Sequence, residues 1–447
     1  DDLINVEDIQ DSVEKVLSES GYADVAKAYI LYRKQHEKVR NMKSTILDYK
    51  EIVDSYVNET SWRVKENSTV TYSVGGLILS NSGAITANYW LSEVYDEEIA
   101  NAHRQGDFHI HDLSMLTGYC AGWSLKQLLV EGLGGIPGKI TSKPAKHLST
   151  LCNQMVNFLG IMQNEWAGAQ AFSSFDTYLA PFVKTDDLSY DQVKKCIESF
   201  IYGVNTPSRW GTQAPFTNIT LDWVVPHDLA DLPAIVGGKE MDFCYKDCQK
   251  EMDMINKAFI EVMIEGDANG RGFQYPIPTY SITKDYDWSE TENNKLLFEM
   301  TAKYGTPYFS NYINSDMEPS DVRSMCCRLR LDLRELRRKS GGFFGSGEST
   351  GSIGVVTINL PRIAYLSKNE EEFYKRLDHL MDLAARSLKT KRNVITKLLE
   401  EGLYPYTKRY LGSFNNHFST IGLVGMNEAG LNARWLGCDM TDERTQK

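Results

Sequence analysis

The sequence predicts a large α/β unit closed into a barrel. Three observations carry that expectation. Stretches of strand character, at 216–220, 354–360 and 417–428, alternate with long amphipathic helical runs, the pattern of buried strands covered by helices. At 447 residues the chain has the length of about three units of roughly 150 residues, but α/β barrels exceed that size as single units. The apolar fraction of 42% and the charged fraction of 24% are those of an ordinary globular protein with a sizeable core.

Composition narrows the partners. The net charge of -12 speaks against a nucleic-acid partner or an anionic membrane surface, because neutralising phosphates needs clustered Lys and Arg. No apolar run reaches the ~18 residues of a membrane span. The N-terminus, Asp1-Asp2-Leu3, shows no signal-peptide pattern and no initiator methionine, so the chain is expected to begin inside a longer gene product. Eight scattered cysteines predict a reducing, cytoplasmic setting rather than a disulfide framework.

The elements follow in order. Val6, Ile9, Val13, Val16 and Leu17 recur at helical spacing, as do Val25, Tyr29, Tyr32, His36 and Val39, with Gly21 between the two runs. Residues 61–118 turn small, polar and aromatic, ending in GDFHIHD at 106–112. His109, His111 and Asp112 are metal-ligand types, yet two rings on one strand face without a third ligand nearby favour hydrogen bonds to neighbouring backbone. Cys120 sits between Gly118 and Gly122, which leave room for close backbone approach; a lone cysteine is otherwise a small core residue. Residues 123–205 read as mainly helical, with a capping box at Ser189 and Gln192 and an apolar face of Val193, Cys196, Ile197, Phe200 and Ile201. Residues 205–220 are dense in turn formers and then become strand-like, the kind of polar loop at a strand end where sites sit.

Cys244 and Cys248 have no second pair, which argues against zinc. Pro276 and Pro278 fix an extended rim segment. An acidic, turn-prone run at 314–321 leads to Ser324-Met325-Cys326-Cys327-Arg328. Two adjacent cysteines on such a loop suit sulfur chemistry, or a buried turn. The glycine-rich run 341–351 lacks the Gly-Lys pair of a phosphate-binding loop and reads as slack between strands. A buried strand at 354–362 ends at Pro361. Ser367 and Glu370 form a second capping box, opening a helix through Phe373, Leu377, Leu380, Ala384 and Leu388.

Six stretches in order then carry a resemblance: GDFHIHD at 106–112, NTPSRWGTQAPFTNIT at 205–220, FQYPIPTYSIT at 273–283, MCCR at 325–328, VVTINLPR at 355–362 and HFSTIGLVGMNE at 417–428. Together they resemble the catalytic subunit of the class III (anaerobic) ribonucleoside-triphosphate reductases, which are glycyl radical enzymes. The stretch from Val25 to Arg33 resembles the closing helix of an ATP-cone. The resemblance implies two domains, 1–45 as the last helices of a cone and 46–447 as the reductase barrel. That barrel would have ten strands in two five-stranded halves around a central finger loop.

The resemblance also implies roles. Cys327 would be the finger-loop cysteine, a transient thiyl radical that takes the ribose 3′-hydrogen. Sulfur suits this, since an S–H bond is close enough in strength to the ribose C–H bond for reversible transfer. Cys120 would assist loss of the 2′-hydroxyl as water. Met325 and Asn359 would lie beside the substrate, with Ser419, Thr420, Arg362 and His111 as further contacts; Arg328 is equally a salt-bridge partner. The implied substrates are ribonucleoside triphosphates and the implied reductant is formate. ATP and deoxynucleoside triphosphates would be effectors. A homodimer or higher oligomer and an iron–sulfur activating enzyme that uses S-adenosylmethionine are the implied partners. The glycyl radical segment and a four-cysteine zinc site are not within these residues and are expected outside them. Two other readings stay open: a pyruvate formate-lyase-like acyltransferase, whose finger loop also carries adjacent cysteines, and a non-catalytic nucleotide-sensing barrel.

Overall fold

The computed structural model describes residues 6–58, 72–317, 319–324, 330–332 and 349–447. Met325, Cys326, Cys327 and Arg328 therefore lie outside the described residues, as does 341–348 of the glycine-rich run. The chain divides into two compact units, residues 1–84 and 85–447.

In the first unit, helices Val6–Glu19 and Ala23–Val57 form the expected pair. The second runs well past the apolar spacing that ends at Val39. Arg33 reaches back to Asp11 and Glu14 at 2.7 and 2.9 Å and ties the two helices together.

The second unit is built on a mixed sheet. Its described strands are β1 (Phe108–Ile110), β2 (Cys120–Trp123), β3 (Gln170–Phe172), β4 (Thr217–Leu221), β5 (Pro233–Val236), β6 (Lys239–Cys244), β7 (Ile277–Ile282), β8 (Tyr308–Asn311), β9 (Val322–Ser324), β10 (Arg330–Asp332), β11 (Thr350–Asn359) and β12 (His417–Val424). Strands β2, β3, β4, β7 and β8 run parallel side by side and make one five-stranded half. β11 lies antiparallel to both β1 and β2 on one edge and parallel to β12 on the other. The result is a curled half-barrel with eight strands among the described residues, where the resemblance implies ten. β5 and β6 form a separate hairpin, and so do β9 and β10, whose pairing brackets 325–329.

Strand periodicity gives the sheet two unlike faces. Trp123, Phe172, Ile219, Leu221, Tyr280, Ile353, Val356 and Ile358 point outward into one core beneath the helices. Each such large side chain contributes roughly 1.5–3 kcal/mol by leaving water. The register places Cys120, Gly122, Ala171, Asn218, Thr220, Thr279, Ser352, Thr357 and Asn359 on the inner face. That face is small and polar, as a lumen for a polar ligand requires.

Local expectations met mixed outcomes. The Ser189–Gln192 capping box opens helix Tyr190–Asn205 as read. The second box is shifted: Ser367 closes the preceding helix, its hydroxyl donating to the Ile363 carbonyl at 2.7 Å, and Asn369 caps helix Glu370–Glu400 with Glu372 instead. Pro278 is not on a rim. It lies in β7 between β4 and β8, tolerated because the pairing with β8 begins only at Thr279. The three-residue β3 interrupts a stretch read as helical.

Candidate functional site

Cys120 opens β2 with its side chain on the inner face, 0% exposed and free of any disulfide among the described residues. Two glycines make its position available. A Cβ on Gly168 would sit 2.8 Å from the Cys120 sulfur and 2.9 Å from the Tyr119 carbonyl oxygen. A Cβ on Gly351 would meet the Cys120 carbonyl oxygen at 2.1 Å, so β11 closes on β2 only with glycine there. The Ala169 N–H donates to the Cys120 Sγ at 3.3 Å. Tyr119, Phe216 and Phe418 pack around the thiol together with Ala169 and Ala171.

Across the strand pair, Ser352 stands opposite Cys120. Its hydroxyl lies 3.2 Å from the Thr420 hydroxyl of β12. Thr420 therefore belongs to this neighbourhood. Ser419, one residue earlier, points to the other face, where Arg392 of helix Glu370–Glu400 donates to its hydroxyl at 3.0 Å. The expected pairing of Ser419 with Thr420 in one anion site is thus split by the two-residue period of the strand.

His111 continues the inner face beyond β1. Its Nε2 is 2.8 Å from the Thr357 Oγ1, and its ring centroid is 6.0 Å from that of Tyr119. His109 lies 4.8 Å from His111 and 5.2 Å from His103, centroid to centroid. The His103 Nδ1 accepts from the Ile110 N–H, and burial with the neighbouring His109, Arg104 and His111 pushes its pKa down to about 4. Among the described residues no group of three or more His, Cys, Asp or Glu side chains is placed to hold a metal ion.

Asn359 and Arg362 form a second cluster at the far end of β11. Asn359 is seven residues beyond Ser352, about 20 Å along the strand. Its Oδ1 accepts from the Arg362 N–H as the cap of helix Leu360–Leu366, and its Nδ2 donates to the Gly106 carbonyl at 2.9 Å. Arg362 Nε pairs with Asp107 at 2.8 Å. The structure gives both side chains structural partners here and does not bring either to Cys120.

Two buried groups went unread in the sequence. Lys391 lies under the sheet against Gly354, 6.0 Å from the Trp90 ring, and burial lowers its pKa. At the carboxyl ends of β4, β7 and β8 a cavity of about 400 Å³ is lined by Asp222, Ser281, Thr283 and Tyr312. Asp222 is 5% exposed, and burial beside Asp176 pushes its pKa up to about 8. Ser352, Tyr119 and Gly168 were also missed. The small residues around each cysteine or strand were the only signal for them.

Comparison with known proteins converges on one family. Residues 66–447 match the model described as anaerobic ribonucleoside-triphosphate reductase, and residues 1–38 match the ATP cone domain. The anaerobic ribonucleoside-triphosphate reductase of Haemophilus influenzae is 24% identical over 428 residues, covering 87% of this chain and 55% of its own length. That of Escherichia coli is 23% identical over 414 residues with the same coverage. The chain thus spans about half the length of the curated relatives it matches. Among solved structures, the Thermotoga maritima anaerobic ribonucleotide reductase in complex with dATP and CTP superposes with a TM-score of 0.63 at 22% identity, covering 89% of this chain and 68% of that one. The same enzyme with citrate in the active site gives 0.65 at 22% identity, covering 89% and 74%. With the half-barrel, the buried cysteine opening β2 and a family model spanning 66–447 in agreement, the chain belongs to the anaerobic ribonucleoside-triphosphate reductase family.

Proposed function

We propose that the chain carries the catalytic barrel of an enzyme that reduces ribonucleoside triphosphates to 2′-deoxyribonucleoside triphosphates without oxygen, by radical chemistry. The observation that carries this reading is Cys120: a fully buried thiol on the polar inner face of the half-barrel, cleared by Gly168 and Gly351. The β9–β10 hairpin brackets the loop with the two adjacent cysteines, in the connection between the two halves.

In this reading the Cys327 sulfur takes the ribose 3′-hydrogen, with Met325 beside the substrate. Cys120 gives its proton to the 2′-hydroxyl, which leaves as water. Formate supplies the two electrons and becomes carbon dioxide. The glycyl radical supplies the unpaired electron that Cys327 carries. Thr420 and His111 are the polar contacts best placed for substrate. Asn359 and Arg362 shape the far end of β11, and Ser419 anchors the outer helix. The match of residues 1–38 to an ATP cone supports control by ATP and deoxynucleotides. A homodimer, an iron–sulfur activating enzyme that uses S-adenosylmethionine, a zinc site elsewhere in the gene product and a reducing, cytoplasmic location complete the reading.

The test is anaerobic conversion of CTP to dCTP by the complete gene product, activated by its partner with formate present. Formate-dependent dCTP that vanishes with Cys327→Ala and survives Cys326→Ala is the expected result. No dCTP from a protein carrying a glycyl radical would overturn it. Essential Cys326 would favour the acyltransferase reading, in which both adjacent cysteines react.

A further inference from the structure

We propose that His109, His111 and Tyr119 form a proton path from solvent to Cys120. The inference rests on the reaction read above. With formate as reductant the balanced equation is ribonucleotide + HCOO⁻ + H⁺ → deoxyribonucleotide + CO₂ + H₂O. The C2′–O bond and the formate C–H bond break, a new C2′–H bond forms, and formate loses two electrons to the ribose. One proton is consumed in every turnover. Cys120, the donor to the leaving hydroxyl, is wholly buried, so that proton must be replaced from outside.

The inner face supplies a row of groups that carry protons. The two-residue period of β1 aligns His109 and His111, with His109 opposite Thr357. His109 is exposed, and His111 and Tyr119 are half-buried. Ring centroids step inward by 4.8 Å and then 6.0 Å. In this path bridging waters carry the proton between neighbouring rings. Tyr119 adjoins Cys120 in the chain and packs against its cluster. Thr357 holds the His111 ring through Nε2. His103 braces the row from helix Glu97–Gln105 through Ile110 and the His109 ring. The charged groups nearby include Arg104 on that helix, Asp112 next to His111 in the chain, and the buried Lys391, which senses both Asp112 and Cys120.

After the 2′-hydroxyl departs with the Cys120 proton, the thiolate takes a proton from the Tyr119 hydroxyl. The Ala169 N–H steadies that thiolate. Tyr119 is reprotonated by His111, and His111 by His109 and solvent. No electrons move along the row. These are positioning and relay residues that act through Cys120.

The test uses the complete, radical-loaded enzyme with His109→Phe and Tyr119→Phe. His109 is exposed, so its replacement leaves folding intact. The expected result is a kcat about tenfold lower with unchanged KM for the nucleotide, at the lower end of what positioned proton transfer contributes. The solvent deuterium isotope effect on kcat should rise, and added imidazole should restore His109→Phe. Wild-type kcat and isotope effect in both variants would overturn the path. So would a raised KM at unchanged kcat, which would make the row a binding feature. Absence of formate-dependent turnover in the unsubstituted enzyme would overturn the reaction reading, and this path with it.

Discussion

Asp222→Asn should remove a pH dependence of stability that one buried proton creates. Asp176 is fully buried and accepts from the N–H groups of Thr177, Asp222 and Trp223 and from the Asn256 amide, at 2.8 to 3.0 Å. Burial pushes the Asp176 pKa up, and these four donors oppose it by favouring the charged form. Asp222, whose Oδ2 accepts from the Thr177 hydroxyl at 2.6 Å, then holds the pair's proton, and burial followed by the Asp176 charge pushes its pKa up to about 8. An unfolded aspartate titrates near 3.9. Between those values the native state binds one more proton than the unfolded state. The contribution is complete below the unfolded pKa and is lost as pH rises through about 8. The slope is about 1.4 kcal/mol per pH unit. Two histidines oppose it at lower pH: burial holds His417 at about 3 and His103 at about 4, so each favours folding more as pH rises toward the unfolded value near 6.5. Above about 6.5 those two are silent, and the Asp222 proton should cost about 2 kcal/mol by pH 8. Urea transitions followed by tryptophan fluorescence at pH about 6.5 and about 8 measure this directly. Wild type should lose that amount relative to Asp222→Asn. Parallel pH dependence in the two proteins would refute the assignment of the proton.

Three further substitutions test the site. Gly168→Ala places a methyl group 2.8 Å from the Cys120 sulfur and 2.9 Å from a backbone oxygen that cannot retreat. It should cost about 1–3 kcal/mol and raise the alkylation rate of Cys120 as read by mass spectrometry; an unshifted melting temperature would contradict the close approach. His417→Phe keeps the stack on Trp166 at 5.4 Å and removes two buried ring nitrogens that have no hydrogen-bond partner among the described residues. Stability should rise by about 1–3 kcal/mol and the acid-unfolding midpoint should move to lower pH, since His417 must charge to let the native state go in acid. Asn359→Ala removes a helix cap and the bond to Gly106, costing about 1–2 kcal/mol while nucleotide affinity stays the same. Weakened binding with unchanged stability would return Asn359 to the substrate.

What the sequence shows and what it hides have a common physical basis. Periodicity marks an element, and its position within the fold is set by partners elsewhere in the chain. The helices of the first unit, β11 and β12 were legible because apolar spacing repeats over enough residues. β3, with three residues between helices, offers no period to read. Strand alternation predicts that Ser419 and Thr420 face opposite sides, but not which one faces the lumen. The pairing with β11 decides that, and the irregularity between Ser352 and Gly354 resets the alternation midway. Asn359 was different, because its role had a local signal. An asparagine followed by Leu360 and Pro361 is a helix start, with proline in the first turn. The amide that looked like a ligand for ribose matched the cap pattern equally well, and the cap takes one of the two lone pairs on its oxygen. The choice between Ser367 and Asn369 turned on similar competition: each stands three residues before a glutamate, and Ser367 was already used to end helix Leu360–Leu366. Cys120 carried the same ambiguity, since a lone cysteine between glycines reads equally as a small core residue. Its two decisive neighbours, Gly168 and Gly351, come from distant strands and loops, so only the folded sheet could reveal how completely the backbone is cleared around the thiol.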